Sequence, residues 1–114
     1  MGDRANVAIK QFFPRGTDAR VYLYTHWGGE TLPLIVQAAL ARQQRWNDEV
    51  YLARIIFAEM TRGNEDGETG FGIGTSPPDN EHPLIVLDCA ERVVFFEADP
   101  SHPRASRPGS APAW

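Results

Sequence analysis

Six consecutive residues, YTHWGG at Tyr24–Gly29, bring together a phenol, an imidazole, an indole and two residues without side chains. A histidine ordinarily titrates near neutral pH, so His26 is the candidate general acid or base of the run. Gly28 and Gly29 allow a left-handed turn or a close approach to other atoms, and they lead into a helix start. A helix start offers unsatisfied amides and partial positive charge, which suit a phosphate or a carboxylate. Tyr24, His26, Trp27, Gly28 and Gly29 therefore form a candidate ligand-binding segment. The competing reading is structural. Strand alternation groups Trp27 with Val21, Leu23 and Thr25, which makes it a core plug. The two glycines are then a backbone corner, and His26 a hydrogen-bonded strand end.

Catalysis would need partners for His26, and the sequence offers Arg4, Glu59, Asn80 and His82. Arg4 would be an anion clamp, or, more plainly, one half of a salt bridge. Glu59 lies in the apolar stretch ARIIFAEM, and Arg62 at i+3 supplies a simple ion-pair partner. Asn80 and His82 belong to the polar run DNEH and could close a pocket around His26. His82 and His102 have no Cys or His at metal spacing, so neither a metal nor another cofactor is expected. GxSxG, HExxH, P-loop and dinucleotide patterns are absent, and the catalytic residues stay unknown beyond the candidates His26, Arg4 and Glu59.

The elements that must position these groups follow from periodicity. NVAIKQFF (Asn6–Phe13) and RVYLYT (Arg20–Thr25) alternate as strands and flank the turn residues Pro14–Asp18, which predicts an antiparallel hairpin. Leu32, Ile35, Val36, Ala39 and Leu40 share one helical face, with Thr31 as N-cap and Pro33 in the first turn. A second helix starts near Asn47, has acids in its first turn, places Trp46 to staple Tyr51 and ends at Arg62–Gly63. Phe71 and Ile73 mark a short glycine-rich strand. Leu84–Leu87 and Val93–Glu97 form two more strands around a turn at Cys89–Arg92. The order ββααβββ predicts a single α+β domain, an antiparallel sheet with two helices on one face, over residues 1–97. Residues 98–114, rich in Pro and Ser, read as a flexible tail ending in Trp114.

Composition narrows the function. The 114 residues are 42% hydrophobic and 23% charged with a net charge of −4, enough for one core. Lys10 is the only lysine, and without a run of basic residues an acidic chain is a poor binder of nucleic-acid backbones. The single cysteine, Cys89, excludes an intramolecular disulfide and falls in the apolar PLIVLDCA, where it reads as a small buried residue. Apolar runs are far shorter than the ~20 residues that span a bilayer. MGDRANVAIK has no apolar segment of a secretory signal, so a cytoplasmic protein is expected.

The segments MGDRANV, VYLYTHWGG, LARIIFAEM, TGFGIGT and DNEHP resemble those of a group of small, largely uncharacterised bacterial and phage proteins. These open with Met-Gly-(Asp or Thr)-Arg and carry His-Trp-x-Gly before a helix. Many of them have HWDGY where this chain has HWGGE, so any role of that aspartate is missing here. The resemblance implies a protein that works by contact with a host protein, for example as an inhibitor of a nucleic-acid-guided defence complex. Two alternatives stand beside it. One is a small enzyme or anion-binding domain built on His26 and Arg4, and the other a homodimer joined along Val93–Glu97.

Overall fold

The computed structural model describes residues 2–11, 19–76, 80–97 and 109–110. Its elements are β1 (Ala5–Lys10), β2 (Arg20–Thr25), α1 (Leu32–Ala41), α2 (Glu49–Thr61), β3 (Phe71–Gly74), β4 (Leu84–Asp88), β5 (Val93–Glu97) and the two-residue β6 (Gly109–Ser110). The expected ββααβββ order and α+β class hold. The turn at Pro14–Asp18, Asp79, His102 and Trp114 lie outside the described residues, as does most of the 98–114 tail.

One sheet runs β3-β2-β1-β4-β5-β6. Four neighbouring pairs are antiparallel, whereas β1 and β4 are parallel, with Val7 opposite Ile85 and Ile9 opposite Leu87. The sheet is therefore mixed where the sequence suggested an antiparallel one. The reason is a long-range choice: after β3 the chain crosses to the far side of β1 and enters beside it in the same direction. No local pattern encodes that step.

Register fixes the two faces. Val7, Ile9, Leu23, Ile85, Leu87 and Val94 point to the helices and join Leu32, Val36, Leu52 and Ile56 in one buried core. Ile9, Leu23, Leu32, Leu52 and Ile56 are almost wholly removed from water, each contributing about 1.5–3 kcal/mol by burial. On the opposite face Ala8, Leu84 and Val86 form a smaller buried cluster flanked by Tyr22 and Phe95. Arg20 also belongs to that face and makes a two-pronged contact with Glu97, at 2.9 and 3.0 Å. Such forked, charge-assisted pairs are the stronger kind of hydrogen bond.

α1 buries Leu32, Val36, Ala39 and Leu40, the stripe that the spacing predicts. Its expected cap behaves differently: the Thr31 hydroxyl donates back to the Gly28 carbonyl at 3.1 Å and accepts nothing from the helix. α2 is capped by Asp48, whose Oδ1 accepts from the amides of Val50 and Tyr51. Trp46 donates its indole N–H to the Leu40 carbonyl at 3.0 Å, tying the helix connection to α1.

Cys89 is buried in the main core, and burial, with lesser help from the nearby acids Glu49, Asp88 and Asp48, pushes its thiol up to about 12. The thiolate is the reactive form. Ellman's reagent at pH 8 is therefore expected to leave the native protein unlabelled and to titrate one thiol once denaturant is added. Prompt labelling of the folded chain would contradict this burial. Because the folded state keeps the proton above the thiol's ordinary value, Cys89 also makes stability fall as pH rises from about 9 toward 12.

Candidate functional site

β1 and β4 run parallel, so the residues preceding each strand emerge side by side at one end of the sheet. The segment before β1 carries Asp3 and Arg4, and the segment before β4 carries Asn80, Glu81 and His82. β2 is antiparallel to β1 and delivers His26 and Trp27 to the same end. Of the sequence candidates, this arrangement gathers Arg4, Tyr24, His26, Gly28, Gly29 and His82 around the N-terminal segment.

The N-terminal segment is the hub. Asp3 donates its amide to the His26 carbonyl at 2.7 Å, and its own carbonyl accepts from the Gly29 amide at 2.8 Å. One carboxylate oxygen of Asp3 accepts from the Glu30 amide at 2.8 Å, and the other lies 2.5 Å from His82 Nε2. The latter contact needs the proton on Nε2, since the carboxylate can only accept. Next door, Glu81 Oε1 accepts from both the amide and Nε of Arg4, at 3.1 and 3.0 Å. The Glu81 amide returns a bond to the Arg4 carbonyl at 2.7 Å, which extends the β1–β4 pairing backward. Arg4 thus takes the salt-bridge role.

The anion cradle expected at the start of α1 is filled by the protein itself. The amide of Gly28 bonds Thr25 Oγ1, that of Gly29 bonds the Asp3 carbonyl, and that of Glu30 bonds the Asp3 carboxylate. Asp3 therefore places its carboxylate on the turn that leads into α1. Sequence reasoning passed over Asp3 and Glu81, because their partners lie 77–79 positions away.

His26 behaves as alternation predicts. It shares a hydrogen bond of 2.8 Å with the Tyr24 hydroxyl through Nδ1, and its ring meets that of Trp27 edge-on at 4.9 Å. Trp27 does not. The core-plug reading fails, because this indole is 58% exposed. β2 ends at Thr25 and the chain bends at His26–Trp27, so strand alternation no longer sets the direction of the side chain. The ring lies instead across Gly70, which has a positive φ of 99° and would bring a Cβ within 2.5 Å of it. Gly70 in turn accepts the His26 amide at 2.8 Å, fastening this corner to the start of β3.

Gly28 and Gly29 do not adopt left-handed angles. Gly29 is needed for space: a Cβ there would sit 2.6 Å from the Asp3 carbonyl oxygen and 2.7 Å from the His82 ring. Asn80 is buried beside this corner. Glu59 is the candidate that stands apart, on α2, where it pairs with Arg62 at 2.5 Å and with Arg42 at 3.5 Å. Its i+3 ion pair was legible; a catalytic partnership with His26 is not what the fold builds.

Among the described residues, no group of three His, Cys, Asp or Glu side chains is placed to hold a metal ion. Nor, among them, is any helix long and apolar enough to cross a membrane. The fold and this corner define a class: an α+β domain whose mixed sheet is closed at one end by a polar clasp between the chain start and the β4 approach. Comparison with protein-family models, with curated proteins and with solved structures returns no match to this chain.

Proposed function

We propose that this chain is a small binding protein that docks on a partner protein through the β3 edge of its sheet. The observation that carries the reading is the exposure of Trp27 and Ile73, 58% and 64%, next to that edge. β3 ends the sheet order with β2 as its one strand neighbour among the described residues, so its outer backbone groups are a template for an added strand. The opposite margin is different: β6 pairs with Phe95 and Phe96, so the Val93–Glu97 edge expected for a homodimer already has a neighbour. An exposed tryptophan fixed by ring contacts is the kind of anchor that dominates interface energies. Net acidity favours a basic partner surface. The narrower identity, a phage-type inhibitor of a host nucleic-acid-guided defence complex, rests on the resemblance of its motifs to bacterial and phage proteins.

The test is co-purification of the full chain from host lysate at moderate salt, in parallel with Trp27→Ala. The wild type should retain a partner, and the variant should retain it about tenfold less well at an unchanged melting temperature. Equal retention by both proteins, or no retention at any ionic strength, overturns the reading.

A second reading draws on the convergence of His26–Tyr24 and His82–Asp3 at one end of the sheet. In an enzyme or ligand-binding domain His26 would act as general acid or base, with Arg4 orienting an anionic group. A ligand at this corner should shift the ring resonances of His26 and His82 together. Partner binding at β3 should move the Trp27 indole and the β3 amides and leave the His82 ring in place.

A further inference from the structure

The sequence has no run of basic residues, yet the fold makes a basic cluster. Arg42 follows α1, Arg45 sits in the helix connection and Arg54 lies on α2, and all three line one open basin of about 570 Å³. Its apolar wall is Tyr51, Ile55 and Ala58. No acid lines it, although the chain as a whole has a net charge of −4.

Two of the three arginines share their carboxylate partners with other groups. Glu59 reaches Arg42 only at 3.5 Å while holding Arg62 at 2.5 Å. Asp48 is 3.9 Å from Arg45, and its Oδ1 caps α2. Arg54 makes no ion pair among the described residues. Arg45 lies over the Tyr51 ring at 4.3 Å, which fixes one guanidinium at the rim. The connection that aims it is strained: Gln43 and Arg45 both have left-handed angles, at φ 56° and 55°. Non-glycine residues persist in that region only where the surrounding contacts hold them there.

We infer that this basin binds an organic phosphate of nucleotide size. Beyond the pairs of Arg42 with Glu59 and Arg45 with Asp48, Arg54 has no acid partner among the described residues, and a phosphate chain offers acceptor oxygens to all three guanidinium forks. The Tyr51, Ile55 and Ala58 wall suits an uncharged part of the ligand. The basin uses the helices and partner docking uses the β3 edge, so each can fail without the other.

The experiment is calorimetric titration of the full chain at low salt with pyrophosphate, ADP, citrate and a short single-stranded DNA. ADP should bind, and more tightly than pyrophosphate because of the apolar wall. Arg54→Ala should weaken ADP at least tenfold, Arg54→Lys should weaken it less, and Lys10→Ala, on the other side of the sheet, should leave it unchanged. Three results would overturn the inference: no binding of either phosphate, an equal loss in Lys10→Ala, or citrate or DNA binding as tightly as ADP.

Discussion

Gly29→Ala is expected to cost about 3 kcal/mol of stability, at the upper end of what overpacking imposes. For a domain of this length that is a fall of roughly 10 °C in melting temperature. The added methyl would stand 2.6 Å from a main-chain oxygen, that of Asp3, so no side-chain rotation relieves it. Moving Asp3 away breaks the bond its carbonyl accepts from the Gly29 amide and drags the carboxylate off Glu30 and His82. The methyl also meets the His82 ring at 2.7 Å, so both sides of the clasp are displaced at once. Gly28→Ala is the control. Its Cβ would come nearest to the Thr25 hydroxyl, at 3.1 Å, a milder approach than 2.6 Å to a main-chain oxygen, so the cost should be smaller. Thermal unfolding of the two variants should separate them clearly. A Gly29→Ala protein as stable as the wild type would mean that the clasp is not closed in solution.

What made the fold legible was local. The stripe from Leu32 to Leu40, the alternation of Val7 and Ile9, and the Asp48–Glu49 helix start all encode their elements within a few residues. The ion pair of Glu59 with Arg62 was readable for the same reason. The features that were not legible join distant positions. The parallel pairing of β1 with β4 depends on a crossover, and the contacts of Asp3 with His82 and Arg4 with Glu81 depend on that pairing. Trp27 was misread because a periodic rule was carried two residues past the end of its strand. The arginine basin was invisible for a related reason, since Arg42 and Arg45 in the helix connection and Arg54 on α2 form no run in the chain. YTHWGG was correctly singled out as unusual. Its Gly29, however, makes room for the N-terminal segment, and the amides of His26, Gly28 and Gly29 are already bonded within the fold, to Gly70, Thr25 and Asp3.

Asp3→Ala is expected to cost about 2 kcal/mol, because its carboxylate accepts charge-assisted hydrogen bonds from two separate elements. The side chain is about one-third exposed, which holds the effect below that of a fully buried charge. His82→Ala removes one of the two contacts and should cost about half as much. In the double variant the His82 contact is already gone, so the two losses should fall short of additivity by about 1 kcal/mol. Asp3→Asn refines the picture: its amide oxygen can still accept from Glu30, while the charge facing His82 is lost, so part of the stability should return. Hydrogen exchange at the Glu30 amide reports the same event locally, rising in Asp3→Ala and staying slow in His82→Ala. Were Asp3 and His82 held in place for a ligand and not for the fold, both variants would melt with the wild type and the coupling would vanish. Stability thus separates a clasp from a site before any ligand is known, because the clasp has its partners in hand and a site awaits one.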